Sequence, residues 1–338
     1  MPDCAVLSRR AQLARLRRLA TRALEAYPLT DPRLEFVAHG ENTTFRVADG
    51  ERYLLRVHRP NRHGRDVDSA AAVRSELWWL TALRDEAGIA VPEPVRTRDG
   101  ELTTVATDPG VAGPRVCSML RWMDGRIHSG SARPDHLRKL GAVMARLHNH
   151  ADTWTPPPGF VRIRWDWTAF FGDAMEYGGL NAAKVWDLIP VGLRPLFDRV
   201  AARMDAVMSR LGHGPDAFGL IHADLHLDNA LFTRDEVRLI DFDDCGYGHR
   251  VYDLAVALWE LRQRPDYPAF RDALVGGYTA RRPLPGAQLD QLDSFIMARE
   301  VAFGLWYTGM AQVNPAFAAD LDEVLEAIRQ SLLTLLGG

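Results

Sequence analysis

With 338 residues, 47% of them hydrophobic and 25% charged, the chain has the make-up of a globular protein and enough length for one large two-lobed body. Its formal net charge of −3 removes the electrostatic case for nucleic acid or an anionic membrane as partner. No apolar run approaches the ~20 residues that span a bilayer. Cys4, Cys117 and Cys245 are widely spaced and form neither a zinc pattern nor a disulfide framework, so a reducing, cytoplasmic setting is expected. Arginine supplies nearly all the positive charge; Lys139 and Lys184 are the only lysines. Nothing in the pattern specifies an oligomeric state.

The chain opens with Arg9, Arg10, Arg15, Arg17, Arg18 and Arg22 among few acids. Organellar leader peptides share this bias, but Leu13, Leu16, Leu19 and Leu24 favour an amphipathic helix packed on the body. Leu34 to Val37, Thr44 to Val47 and Tyr53 to Val57 have the β-branched and aromatic content of strands, and Asp49-Gly50 is the hairpin turn between the last two. Residues 69–87 carry Val73, Leu77, Leu80 and Leu83 on one helical face, closed by Gly88. Pro92 and Pro94 begin an extended segment, and a second hairpin at Asp99-Gly100 is expected to lead into the apolar stretch Val116 to Met123.

From there the pattern turns helical. Leu137, Leu140, Val143, Met144 and Leu147 predict a helix over 135–150, followed by a break at Pro156 to Gly159 and an aromatic segment with Trp165, Trp167, Phe170 and Phe171. Further helices are expected over 190–211, 251–262, 267–280, 288–310 and 315–336. The plan is α+β: a β-rich lobe over 1–117, a hinge over 118–124 and a mainly helical lobe over 125–338.

The most informative stretch begins at His222 in LIHADLHLDNALF and ends at Asp241, directly after the apolar run VRLI. Acids that follow a buried strand cost desolvation energy unless a cation or hydrogen bonds repay it. Phosphoryl transfer needs an acceptor for a hydroxyl proton and hard oxygen ligands for magnesium. Asp224 suits the first task, Asn229 and Asp241 the second. The alternation His222-x-Asp224-x-His226 also admits a metal-dependent hydrolase with imidazole ligands. That scheme leaves Asn229 and Asp241 without a task.

His222-x-Asp224 with Asn229, then Ile240-Asp241-Phe242-Asp243, then Tyr252-Asp253-Leu254-Ala255, resembles the aminoglycoside phosphotransferase and choline kinase family, homoserine kinases of the second type included. The resemblance extends over almost the whole chain. It implies a protein-kinase-like two-lobed fold and ATP- and Mg2+-dependent phosphorylation of a small hydroxylated substrate. Asp224 would be the base, Asn229 and Asp241 the magnesium ligands, and His222 and Asp253 would brace the loop. Asp243 would be a second acid near the metal or face the substrate.

The resemblance further implies that Gly40-Glu41-Asn42-Thr43 covers the ATP phosphates, with Gly40, Asn42 and Thr43 in contact. Arg56 stands where the family places a strand lysine, with Glu76 as its partner, and keeps the charge with a different reach. Met119 and Arg121 fall in the hinge beside adenine. Substrate candidates are Trp165, Asp166, Asp243, Arg299 and Trp306, with Arg162, Arg164, Trp167, Asp173, Glu300 and Tyr307 nearby. Aromatic faces suit the cation of an amino alcohol, arginines suit the carboxylate of homoserine, and an aminoglycoside would call for an acidic rim. Alternatives are a protein Ser/Thr kinase of the same fold and, because the lysine is absent, a non-catalytic nucleotide-binding pseudokinase.

Overall fold

A computed structural model describes residues 9–60 and 68–337, so Cys4 lies outside the described residues. Helix α1 (Arg9–Leu24) buries Leu16, Leu19, Ala20, Ala23 and Leu24, while Arg18 pairs with Asp108 at 3.2 Å and the Arg15 guanidinium donates to the Gly110 carbonyl at 3.0 Å. Full burial of one leucine such as Leu19 contributes about 1.5–3 kcal/mol, which is what fastens an otherwise arginine-rich helix to the body.

Beneath α1 lie β1 (Arg33–His39), β2 (Thr43–Asp49) and β3 (Glu51–Val57). Helix α2 (Ser69–Asp85) follows, capped by the Asp68 carboxylate, which accepts from the Ala70 N–H at 2.9 Å. Then come β4 (Pro94–Val95), β5 (Thr103–Ala106) and β6 (Arg115–Arg121). The sheet order is β1-β2-β3-β6-β4, antiparallel throughout, with β5 also paired to β6. Side chains alternate across a strand, so one face of β3 and β6 sends Leu55, Val57, Cys117 and Met119 into the core beneath α1 with Phe45 and Val47. The opposite face turns Leu54, Arg56 and Leu120 toward the rest of the molecule.

The expected hairpin at Asp99-Gly100 is corrected here. The turn exists, with Gly100 at φ +84° and its N–H donating to the Thr97 carbonyl at 2.9 Å, but β4 and β5 do not pair with each other. Both lie along the same edge of β6, and the true hairpin is β5–β6, turning through residues 107–114. A two-residue turn signal reports a local reversal; the partner is chosen by β6, whose apolar register accepts both segments.

The second part comprises α3 (Pro134–Thr153), β7 (Arg164–Trp165), α4 (Trp167–Phe170), β8 (Glu176–Tyr177), β9 (Leu180–Asn181), α5 (Ala182–Leu188) and α6 (Arg194–Leu211). There follow β10 (Phe218–Ile221), β11 (Ala230–Phe232), β12 (Val237–Leu239) and β13 (Gly246–His249). The chain ends with α7 (Arg250–Trp259), α8 (Tyr267–Thr279), α9 (Gly286–Leu289), α10 (Leu292–Ala311) and α11 (Pro315–Gly337). The helix expected over 288–310 is therefore two helices. The short α9 is held separately by Gln288, whose side-chain amide donates to the Asp216 carbonyl at 3.0 Å.

Helix α10 is buried on nearly every side, packed against α6, α7 and α11, as a helix apolar all round must be. Helices α3 and α8 meet at backbone distance. A Cβ on Gly141 would lie 2.2 Å from the Leu274 carbonyl oxygen, and one on Gly277 would lie 2.0 Å from that of Arg138. Gly277→Ala must push the helices apart, with an expected loss of about 1–3 kcal/mol in chemical denaturation.

Candidate active site

Strand β10 delivers the chain to His222 and Ala223 in a conformation that needs support. Among the described residues, Ala223 (φ 67°) and Asp241 (φ 59°) are the non-glycine positions in the left-handed region, each a strain of roughly 1–2 kcal/mol. Asp253, in the first turn of α7, supplies that support. One of its oxygens accepts the Ala223 N–H at 2.7 Å, the other accepts the His222 N–H at 3.0 Å and the His148 Nε2–H at 2.9 Å. Burial holds the His148 imidazole below its usual range, so the ring is neutral and its Nδ1 accepts from the Tyr278 hydroxyl at 2.9 Å.

His222 Nε2 donates to the Ile240 carbonyl at 3.0 Å and its Nδ1 accepts the Asp224 N–H at 3.3 Å. Both ring nitrogens are thereby committed to backbone, and the imidazole-metal hydrolase reading loses its first ligand. The ring packs 4.4 Å from Phe242, which meets Trp79 of α2 at 5.6 Å. The loop, the segment after Asp241 and the helix carrying Glu76 thus share one aromatic contact chain.

Asp224 is held from two sides. Its Oδ1 accepts from the Arg299 guanidinium at 2.6 Å, and its Oδ2 accepts from Asn229 Nδ2 at 3.1 Å with His226 Nε2 at 3.5 Å. Burial works against its charge, but Arg299 and then His226 outweigh it, so the carboxyl is held well below the usual carboxylate range. Arg299 pays a desolvation penalty too, yet Asp224 drives its pKa upward, and the guanidinium lies 5.1 Å over the Trp259 ring. Asn229 Nδ2 also donates to the Asp224 carbonyl at 2.8 Å, which commits the amide nitrogen to Asp224 and leaves the amide oxygen, the type of atom a hard cation takes. The Ile240 N–H donates to the Asn229 carbonyl at 3.0 Å and so sets Asn229 beside the strand that ends at Asp241.

Across the cleft, Arg56 and Glu76 form an ion pair at 2.7 Å, with side-chain exposures of 4% and 1%. Burial opposes the Arg56 charge; Glu76 first, then Asp243 and Asp241, more than restore it, and its pKa rises. Asn42 Nδ2 donates to Asp243 Oδ2 at 2.8 Å, linking the β1–β2 loop to the segment after Asp241.

A single cavity of about 760 Å³ is lined by Gly40, Asn42, Arg56, Arg121, Trp165, Asp224, Asn229, Asp241, Asp243, Arg299 and Trp306. Several expected contacts lie elsewhere. Thr43 is buried, its hydroxyl 2.8 Å from the His39 ring, and strand alternation gives Thr44 the cavity face instead. Met119 points into the core beneath α1, leaving backbone as its means of meeting a ligand. Asp166 caps α4, accepting from the Thr168 N–H at 3.1 Å and hydroxyl at 2.7 Å. Arg162 is buried and donates to the Ala72, Asp243 and Cys245 carbonyls. Glu300 bonds Ser331 on α11. Glu76, His222 and Asp253 stand behind the wall rather than in it.

Glu176, Tyr177, Trp259, Glu260 and Phe303 also line the cavity and escaped the sequence reading; Glu41, already placed in the loop over the phosphates, and Asp244, of the acidic cluster after the VRLI run, line it too. Two of those that escaped had a legible signal. Trp259 follows Tyr252 by seven residues, and Phe303 follows Arg299 by four, spacings that share a helical face, and all four line the cavity.

A model of the phosphotransferase enzyme family matches residues 33–288. The chain belongs to that family. A protein of Deinococcus radiodurans is 33% identical over 86% of this chain and 80% of its own length. The structure of a microcompartment-associated aminopropanol kinase superposes with a TM-score of 0.79 at 30% identity, covering 94% of this chain and 96% of that one. An amicoumacin kinase solved with AMP-PNP, Ca2+ and amicoumacin gives a TM-score of 0.73 at 22% identity, over 96% of both chains. The phosphotransferase fold here is the α+β, protein-kinase-like one, and the activity is transfer of a phosphoryl group to a small-molecule hydroxyl.

Proposed function

We propose that the protein transfers the γ-phosphate of ATP to the hydroxyl of a small amino alcohol. The observation that carries this reading is the placement of Asp224, Asn229 and Asp241 on the wall of the cavity that Arg56 also lines. The acceptor hydroxyl donates to Asp224, its oxygen attacks the γ-phosphorus, and the bond to the β–γ bridging oxygen breaks, leaving ADP. Asp224 takes the hydroxyl proton. The Asn229 amide oxygen and the Asp241 carboxylate are hard donors of the type magnesium prefers; bound there, the ion neutralises phosphate charge. Arg56 faces the α/β-phosphates, held straight by Glu76. For Arg56→Ala the apparent affinity for ATP is expected to fall about tenfold, the worth of one charge-assisted hydrogen bond, measured as KM for ATP.

The acceptor side of the cavity combines acids with aromatic faces. Glu176, Asp244 and Glu260 line it with Trp259, Phe303 and Trp306; the Trp259 and Phe303 rings lie 4.8 Å apart and the Phe303 and Trp306 rings 5.6 Å. That lining favours an ammonium group. Arg299, the cation a carboxylate acceptor such as homoserine would need, is engaged by Asp224. The aminopropanol kinase noted above adds support from similarity. We place the lobe junction at 118–124, where β6 ends and the Trp122 N–H donates to the Arg52 carbonyl at 2.9 Å. We place the protein in the cytoplasm: Cys117 and Cys245 are free thiols, and no described helix is long and apolar enough to cross a membrane.

The test is ADP release with 1-amino-2-propanol, ethanolamine, choline, homoserine, an aminoglycoside and a generic protein as acceptors. Release with amino alcohols supports the proposal. Release confined to homoserine, the aminoglycoside or the protein overturns it.

A further inference from the structure

The β1–β2 loop carries a charge that is out of place for its task. Glu41 sits between Gly40 and Asn42 in the segment that would cover the ATP phosphates, where a carboxylate and a triphosphate repel. Its side chain resolves the conflict by turning to the acceptor side. Oε1 accepts from the Trp306 indole N–H at 2.6 Å, and Oε2 pairs with Arg59 at 3.1 Å. Arg59 also reaches the Met310 sulfur at 3.2 Å, and its backbone N–H donates to Asn42 Oδ1 at 3.3 Å.

The loop is therefore tied at two ends. Asn42 holds the segment after Asp241, and Glu41 with Arg59 holds α10, the helix whose Arg299 grips Asp224 and whose Phe303 and Trp306 line the acceptor side. Trp306 and Glu41 are 265 residues apart in sequence, yet share one wall of the cavity.

We propose that Glu41 is a positioning residue for the acceptor, acting through Trp306, so that the acceptor pocket is complete only when the phosphate-covering loop is seated. Nucleotide and acceptor then bind with positive coupling: whichever arrives first orders the loop and α10 for the other, and linkage makes the effect reciprocal. The choice of acceptor rests on the amino-alcohol reading; the loop-to-helix connection does not.

The experiment compares wild type with Glu41→Gln and Trp306→Phe, using ATP and 1-amino-2-propanol for kinetics and Mg·AMP-PNP for calorimetry. Glu41→Gln is expected to raise the acceptor KM about tenfold while kcat changes less, the scale of one charge-assisted hydrogen bond. The Kd of Mg·AMP-PNP alone should stay within about twofold, and its tightening by 1-amino-2-propanol should vanish. Trp306→Phe should reproduce the loss of coupling. An unchanged acceptor KM with coupling retained overturns the proposal, as does an equal loss of Mg·AMP-PNP affinity without acceptor, which would mark a merely structural loop contact. Should 1-amino-2-propanol fail to bind the wild type, the amino-alcohol reading falls. The connection is then read from hydrogen exchange of residues 299–310 on adding Mg·AMP-PNP alone. Protection present in wild type and lost in Glu41→Gln upholds it; protection equal in both, or absent from both, overturns it.

Discussion

Asp224→Asn is expected to lower kcat by about 10²–10⁴-fold while the Kd for Mg·ATP stays nearly unchanged. Asparagine is the informative replacement because it keeps the shape of the side chain and one oxygen for the Arg299 guanidinium, which sits 2.6 Å from Asp224 Oδ1. Alanine would also leave a cation with 17% side-chain exposure facing an empty site, mixing a stability defect with the chemical one. Each carboxylate oxygen has two lone pairs, so the contacts to Arg299 and Asn229 leave room for an acceptor hydroxyl. Since Arg299 and His226 hold the carboxyl ionised well below its usual range, no acid limb of the rate profile should arise from Asp224 above about pH 5. Steady-state kinetics paired with nucleotide calorimetry decides the matter. A variant that keeps most of the wild-type rate would place the base elsewhere.

Asp253→Ala should cost about 3–5 kcal/mol of folding stability and most of the activity. The carboxylate is completely buried and accepts three hydrogen bonds, from Ala223, His222 and His148. Removing it leaves those donors without acceptors, each at a penalty of roughly 1–3 kcal/mol before relaxation. It also releases Ala223 from its left-handed φ, after which the loop has no reason to aim Asp224 into the cavity. Asp253→Asn, with one oxygen still able to accept, should lose less. Denaturant midpoints give the stability change, and kcat measured where the variant remains folded gives the functional one. Wild-type stability in Asp253→Ala would show that the loop is braced by something else.

Much of the phosphate-handling side was legible because its parts are close in sequence or on regular elements. His222, Asp224, Asn229 and Asp241 span twenty residues, so the turn geometry between two short strands is enough to bring the last three to one wall with His222 behind it. Arg56 on a strand and Glu76 on the next helix meet in the arrangement their types call for. Facing was harder. Thr43 and Met119 lie on the right strands, but a period of two puts each on the side opposite the cavity, and apolar content does not announce which side is covered. The Asp99-Gly100 reversal was visible while its strand pairing was not, because pairing is a contest among distant segments for the β6 edge.

The sequence by itself determined the family, the two-lobed α+β plan and the grouping of Asp224, Asn229 and Asp241 after β10, all set by short-range spacing and residue type. Only the tertiary structure brought Glu41, Glu176, Asp244 and Glu260, from different segments of the chain, into one cavity with Trp306. The ion pair of Arg299 with Asp224 belongs to that second group. Such contacts join residues tens to hundreds of positions apart, and which ones form depends on how α10 packs against the body, a balance of burial over many side chains that no local pattern encodes.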